Sequence, residues 1–373
     1  MELVHQRGAI LQSWGHRIEI VTLDSPNESY LKDSPLPVHA IGPGIGSYRY
    51  CEKLVPWLKR HASTFDAVIV DGIWNYASFG AWRALHNSSV PYFVFTHGML
   101  GPWFKQTYPL KHLKKWLYWP WAEYRVLRDA TFVLFTCEEE RLLARESFFL
   151  YKARERVVVS GVATPPIDVA ERRRSFLAAF PPLVNKRLIL FLGRIHQVKG
   201  VDLLIEAFAN QAHTDANLHL VIAGPDQTGL VAPLKRIAEK LGISHRITWT
   251  GMLLEDLKWG AYFAADIFIL PSHHENFGNV VAQALSCGLP VLISNKVNIW
   301  REIEADHAGL VEDDTRAGTI RLLQRWLEMP GEDRIRMRHQ TKQTFFNRFE
   351  IHKAAESLLA VLSENVSGRD RIP

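Results

Sequence analysis

Apolar positions along this chain follow two alternating rhythms. Short unbroken runs rich in Val, Ile and Phe are separated by longer stretches with apolar residues every three or four positions. The short runs read as strands buried on both faces, and the longer stretches as helices covering them. In the first half the strands are expected at residues 17–24, 67–72, 92–98, 131–136 and 157–161. In the second they are expected at 187–193, 218–224, 247–251, 266–272 and 290–295, with helices such as 201–211 and 230–242 between them. That order describes an α/β protein in which a parallel sheet wrapped by helices occurs twice. Residues 163–186 are rich in proline and charge and read as the connection between the halves. The expected domains are residues 1–165 and 186–345. A C-terminal helix over 346–373 follows, packing back towards the first domain, and Phe345, Phe346, Phe349, Leu358, Leu359 and Leu362 are expected to point into a core.

The start of the chain departs from this order. Residues 2–13 read as an amphipathic helix that leads through Gly15 into the first visible strand. A doubly wound domain opens with a strand and a glycine-rich turn before that helix. The expectation is therefore an N-terminally shortened first domain that lacks its first β-strand. The strands near 17–24 and 67–72 would then face a gap of unpaired backbone.

Composition narrows the class without naming it. The 373 residues, 47% of them hydrophobic and 22% charged, suit two globular domains. No apolar run is long enough to span a bilayer, and no signal-peptide pattern opens the chain. Cys51, Cys137 and Cys287 are widely spaced and give neither a disulfide framework nor a zinc spacing, so a reducing cytoplasm is expected. A net charge of +5 favours anionic partners such as phosphates or acidic lipid. The basic residues match no nucleic-acid-binding module, so nucleic acid is not an expected partner.

The densest chemical signal is PSHHENFGNVVAQALSCGLPV at 271–291. A strand ends in a proline turn, Glu275 follows, and Phe277, Gly278, Asn279 and Val280 open a helix. Free N–H groups at such a start form an anion site. Glu275 and Gln283 lie about 12 Å apart at helical rise, a separation that suits a sugar and a ribose at the two ends of a diphosphate. An ordinary surface turn with a solvated Glu is the alternative. The second signal is FLGRIHQVKG at 191–200, where a strand ends at Gly193 and Arg194 and Lys199 flank the next loop. Cations at the carboxyl edge of such a sheet are placed for an anionic ligand. A solvated pair of cations is the alternative here. The Gly-x4-Gly-Lys-Ser/Thr spacing of a P-loop is missing.

Together the two stretches resemble the donor site of the retaining glycosyltransferases of family four, which have the GT-B fold of two Rossmann-like domains and a cleft. That family's order is G-R-x4-K-G, a strand ending in A-G, F-x-G, then P-S-x-x-E-x-F-G with a second Glu eight residues after the first. This chain has GRIHQVKG, VIAGPDQ, ITWTGMLLE and the 271–291 stretch in the same order. FTHGMLGPW at 95–103 is similar to one branch of the family acting on polysaccharides or lipid-linked glycans.

The resemblance implies roles residue by residue. Arg194 and Lys199 would hold the diphosphate, and Glu275 the donor sugar's hydroxyls. Backbone at Gly193, Gly224 and Phe277–Val280 would line the sugar and phosphate, and Gly251 to Leu253 would meet the base. His97 would face the sugar from the first domain, its alternative being a structural bond to a neighbouring loop carbonyl. The family's second Glu is Gln283 here, so charge assistance at the ribose is lost.

The donor would be a nucleotide-diphosphate sugar, with no further cofactor. No Asp-x-Asp occurs, and the adjacent His273, His274 and Glu275 diverge, so a metal-independent transfer is expected. The loop GPGIG (42–46) only imitates a dinucleotide fingerprint. Residues 102–128 mix six Lys and Arg with four Trp. They read either as a helix on an anionic membrane surface or as an ordinary amphipathic helix. A sugar-nucleotide epimerase of similar fold and a non-catalytic sugar-nucleotide-binding protein stand as functional alternatives.

Overall fold

The computed structural model describes residues 2–107 and 109–366, in two compact units. One unit runs to Gly161 and resumes at Ile351, and the other is Val162–Glu350.

The second unit is built on six parallel strands: β7 (Arg187–Leu192), β8 (Leu218–Ala223), β9 (Ile247–Gly251), β10 (Ile267–Leu270), β11 (Val291–Ser294) and β12 (Gly309–Glu312). Strands β8, β10 and β11 are fully buried, as expected of a sheet covered on both faces. Their order is β12-β11-β10-β7-β8-β9. The chain lays β8 and β9 on one side of β7 and the remaining strands on the other. The order therefore reverses between β7 and β10, and open sheets bind ligands at the carboxyl ends flanking such a reversal. Strand β12 has no counterpart in the pattern reading, because four residues ending in Glu312, with Leu310 alone of them buried, carry little apolar signal. Residues 163–186, expected as a connection, hold the helix Val169–Ala179. It lies on the helix Glu255–Ala264 so closely that a Cβ on Gly260 would stand 2.4 Å from the Arg172 carbonyl. Phe176 is fully buried in that contact, an anchor hidden by the charged composition around it.

The first unit has two separate sheets. Strands β1 (Ile20–Thr22) and β2 (Val38–Ala40) form a parallel pair. Strands β3 (Val68–Asp71), β4 (Tyr92–Phe95), β5 (Phe132–Phe135) and β6 (Glu155–Val157) form a parallel sheet in that order. No pairing joins β1 to β3 among the described residues. The broken sheet expected from the sequence is thus present in the structure. Helix α1 (Glu2–Ser13) and the helix Ile351–Val366 pack on one face, through Leu11, Phe93, Phe95 and Leu358. Helices α2 (Leu54–His61) and α3 (Tyr76–Leu85) cover the other, through Leu54, Leu58, Val70 and Ala81. Strand β2 escaped the pattern reading because it is three residues long with His39 at its centre. Strand β6 lies upstream of its expected place at 157–161.

The C-terminal reading needs one correction. Phe345 and Phe349 are buried in a π-turn of the second unit, but Phe346 is half exposed on its surface. Residues 367–373 of the expected helix lie outside the described residues.

Candidate functional site

The reversal point of the second unit brings together most of the residues singled out in its sequence. Beyond β7 the chain passes Gly193 and the exposed Arg194, then a short turn Gln197–Lys199. Gly200 closes that turn with φ 63°, and a Cβ there would meet the Pro271 carbonyl at 2.2 Å. The loop after β10 is tied to the same turn, since the His273 N–H donates to the Val198 carbonyl at 2.8 Å. Two loops distant in sequence are thereby held edge to edge.

Glu275 is fixed at both its backbone groups. Its N–H donates to Lys296 at 2.9 Å and its carbonyl accepts from Asn298 at 3.0 Å. Its carboxylate meets the Lys199 ammonium in an ion pair. The two side chains are only 21% and 12% exposed, so this pair is shielded from bulk water. Burial and the nearby positive charge of Arg194 bring the Lys199 ammonium down to about 8, even with Glu275 alongside. Arg194 has no ion-pair partner among the described residues. Two cations, one paired with a carboxylate and one exposed, suit a ligand carrying more than one negative charge.

The helix Asn279–Ser286 starts beside this pair. Gly278 caps it in the left-handed region with φ 75°, packed against the Glu275 and Val297 side chains. Phe277 is buried against Phe349, with ring centroids 5.6 Å apart, which anchors the turn from below. The first N–H groups of a helix have no partner within it, and this helix begins four residues after Glu275. Gln283 lies further along. The hydroxyl of the buried Tyr262 donates to the Val280 carbonyl at 3.1 Å and lies 3.3 Å from the Gln283 side-chain amide.

Two of the glycines have structural duties. A Cβ on Gly224, at φ 147°, would lie 1.7 Å from the Gly193 carbonyl. The Gly224 N–H donates to Gly251 at 2.8 Å, and the Gly193 N–H to Ala223 at 2.9 Å. The carboxyl ends of β7, β8 and β9 are thus locked level. After Gly251 the side chains of Met252 and Leu254 are largely exposed, flanking the half-buried Leu253. His273 and His274 diverge: His273 bonds Asp314 at 2.8 Å, while burial, with Lys199 nearby, pushes His274 down to about 4.

His97 belongs to the first unit, at the end of β4. It adopts φ 46°, stacks on Phe95 and bonds the Asp71 carboxylate through Nε2 at 2.9 Å. Its partner is a carboxylate, not the loop carbonyl considered as an alternative. Burial opposes the charge on Asp71, but the His97 hydrogen bond and Arg7, 3.7 Å away, outweigh it and keep that carboxyl below its usual range. The loop is pinned by buried Glu140, which accepts from the Thr96 and Thr136 hydroxyls and from the Gly98 N–H. Sequence reasoning missed Asp71, Arg7 and Glu140. The Asp-Gly at the end of the 67–72 run was the available signal for Asp71.

Comparison with known proteins bears on the family and the fold. A family model described as glycosyl transferases group 1 matches residues 175–344, and one described as a glycosyl transferase 4-like domain matches residues 4–161. Together they take in most of the chain. The chain belongs to the family-four glycosyltransferases. A D-inositol 3-phosphate glycosyltransferase of Thermomonospora curvata is 32% identical over 195 residues, covering 48% of this chain and 44% of that protein. One of Streptomyces bingchenggensis is 30% identical over 224 residues, covering 58% and 49%. These matches span less than half the length of either relative. Among solved structures, sucrose-phosphate synthase of Thermosynechococcus elongatus superposes with a TM-score of 0.75 at 19% identity, covering 98% of this chain and 93% of that one. The Anabaena HepE protein in complex with UDP and glucose gives 0.72 at 17%, covering 97% and 95%. The fold of this family-four chain is accordingly GT-B.

Proposed function

We propose that this family member transfers a sugar from a nucleotide-diphosphate sugar to a hydroxyl acceptor, with retention of configuration and without a metal. The observation that carries this reading is the arrangement of Arg194, Lys199, Glu275 and the Asn279–Ser286 helix start at the reversal point. Arg194 and Lys199 take the diphosphate, which competes with Glu275 for the Lys199 ammonium. The freed Glu275 carboxylate then accepts from the sugar's hydroxyls. As the glycosidic bond breaks, charge grows on the departing phosphate, where preorganised donors act most strongly. No covalent nucleophile is assigned, so attack from the leaving-group face is the favoured route. HepE binds UDP and glucose, and the curated relatives are named for a phosphorylated inositol acceptor, both in keeping with this class of reaction. A polysaccharide or lipid-linked glycan is the acceptor class suggested by FTHGMLGPW. The test is to incubate the protein with nucleotide sugars, candidate hydroxyl acceptors and EDTA, reading the product by NMR. The expected product keeps the donor's anomeric configuration at an undiminished rate. An inverted product, or activity abolished by EDTA and restored by a divalent cation, would overturn the mechanism.

Residues 109–121 support a second element of the reading. No helix among the described residues is long and apolar enough to cross a membrane. The helix Pro109–Tyr118 nevertheless exposes Leu110, Leu113, Trp116 and Leu117, with Trp121 and Phe149 beside them. Lys111 and Lys114 stand exposed on the same helix. Trp119, by contrast, is fully buried, and Lys115 lies over the Trp74 ring at 4.6 Å. An apolar surface edged with lysines suits peripheral docking on the cytoplasmic face of an anionic bilayer. Changing Lys111 and Lys114 to Glu removes about 1 kcal/mol of attraction per lysine and adds repulsion. Co-sedimentation with phosphatidylserine vesicles is expected to fall at least tenfold, and unchanged binding would end the membrane assignment.

A further inference from the structure

The backbone of His97 stands at φ 46°, a strained conformation for a residue with a side chain. Glu140 holds it there from both sides, accepting from the Thr96 hydroxyl at 2.7 Å and from the Gly98 N–H at 2.5 Å. Two further contacts set the ring. It lies nearly parallel to the Phe95 ring, at 14° with centroids 5.3 Å apart, which fixes its plane. Its Nε2 meets the Asp71 carboxylate at 2.9 Å, which fixes its rotation within that plane. Strand register places Asp71 for this contact, because it pairs with Phe95 at the ends of β3 and β4.

Charge decides which side of that bond carries the hydrogen. Asp71 is held below the usual carboxylate range by His97 and by Arg7, 3.7 Å away, so it has no proton to donate. The hydrogen therefore sits on Nε2. In a neutral imidazole the lone pair is then on Nδ1. Nδ1 has no hydrogen-bond partner among the described residues, and the side chain is 33% exposed. It is a fixed acceptor within reach of a ligand that donates, and the hydroxyls of a sugar are such donors.

We infer that Asp71 is a positioning residue for the sugar transfer proposed above: it locks His97 in the tautomer whose Nδ1 accepts a hydrogen bond from a hydroxyl of the bound saccharide. Asp71 acts only through the ring. That saccharide is the donor's sugar or the acceptor, which share this chemistry. Without Asp71 the ring turns over and its hydrogen divides between the two nitrogens, so the acceptor is lost for part of the time.

The test is a double-mutant cycle on the whole chain with His97→Ala, Asp71→Ala and both together. Asp71→Asn is carried alongside as a variant of unchanged shape; its amide donates as well as accepts, so it too releases the tautomer. Imidazole nitrogen NMR at about pH 8.5, above the ordinary histidine range, identifies the His97 signals by their loss in His97→Ala. Wild type is expected to show one tautomer, protonated on Nε2, and both Asp71 variants a mixture. With a transferred nucleotide sugar, Asp71→Ala is expected to lower kcat/KM at least tenfold, but less than twofold where His97 is already Ala. A rise in donor KM marks the donor's sugar as the saccharide met, and a rise in acceptor KM the acceptor. A mixture of tautomers in wild type, one unchanged tautomer in both Asp71 variants, or equal fractional losses in the two backgrounds would overturn the inference. Absence of transfer by wild type would count against the transfer reading instead, and the spectra would still decide the tautomer.

Discussion

Replacing Lys199 or Arg194 by Ala is expected to lower turnover on the order of a hundredfold, the usual effect of removing one preorganised donor to a developing charge. Both cations stand at the reversal point of the second sheet, and among the described residues Lys199 alone of the two has an ion-pair partner, Glu275. The two variants should therefore differ in one respect. Arg194→Ala leaves the Lys199–Glu275 pair intact, whereas Lys199→Ala strands a shielded carboxylate that repels the donor's phosphates. Donor affinity should fall further in Lys199→Ala. Lys199 also imposes a pH dependence. Its ammonium is held down to about 8, so it is protonated and able to bind phosphate below that pH and loses its charge above it. Wild-type donor affinity is expected to weaken as pH rises through about 8, and Lys199→Arg should retain affinity to higher pH because Arg stays charged. Turnover near the wild-type value in both Ala variants would remove these residues from the mechanism.

Gly224→Ala is expected to be strongly destabilising although it touches no charged group. The added methyl would sit 1.7 Å from the Gly193 carbonyl, at a φ of 147° that side chains rarely adopt. Relief requires the carboxyl ends of β7 and β8 to part, which breaks the Gly224–Gly251 and Gly193–Ala223 bonds that hold the strand ends level. A loss of about 3 kcal/mol in stability is expected, from strain and broken hydrogen bonds together. The measurement is amide hydrogen exchange of β8 and β10 as a function of denaturant, which reads the unfolding of that unit. Gly251→Ala is the control. Its φ of 69° is also left-handed, but no atom lies within 4 Å of the added carbon, so a smaller loss is expected. Equal stability of wild type and Gly224→Ala would show that the strand ends are not locked as described.

These contrasts also show what can and cannot be read in a sequence. Long buried strands declared themselves, as in LHLVIA at β8, because a strand hidden on both faces must be apolar throughout. The short parallel pair did not. VHA at β2 is half-buried and GLVE at β12 buries Leu310 alone, so their composition resembles that of loops. The helix Val169–Ala179 was obscured for a related reason: one buried Phe176 anchors it while its Arg and Glu side chains stay in water.

At the donor site, the motif spacing marked Arg194, Lys199, Glu275 and Gln283, but not the contacts among them. Nothing in the order of residues shows that Lys199 already pairs with Glu275, or that the Gln283 amide lies against the Tyr262 hydroxyl. Such facts depend on two loops some seventy residues apart being tied through His273 and Val198. In the first unit His97 was legible from its motif, whereas its carboxylate partner Asp71 and the buried Glu140 under the loop were not. Both are single acidic residues in common surroundings, and their role exists only once the strands are side by side. The gap between β1 and β3 was legible from an element order that departs from that of a doubly wound domain, more than from any single residue.

Calorimetric titration of wild type and Lys199→Ala with UDP-glucose, UDP-N-acetylglucosamine, GDP-mannose and ADP-glucose tests the central claim most directly. At least one of these donors is expected to bind the wild type, and to bind Lys199→Ala at least tenfold more weakly while the variant's unfolding midpoint stays within a few degrees. Absence of binding by every nucleotide sugar, or equal affinity in the two proteins, would contradict the assignment of the reversal-point cations to the donor diphosphate.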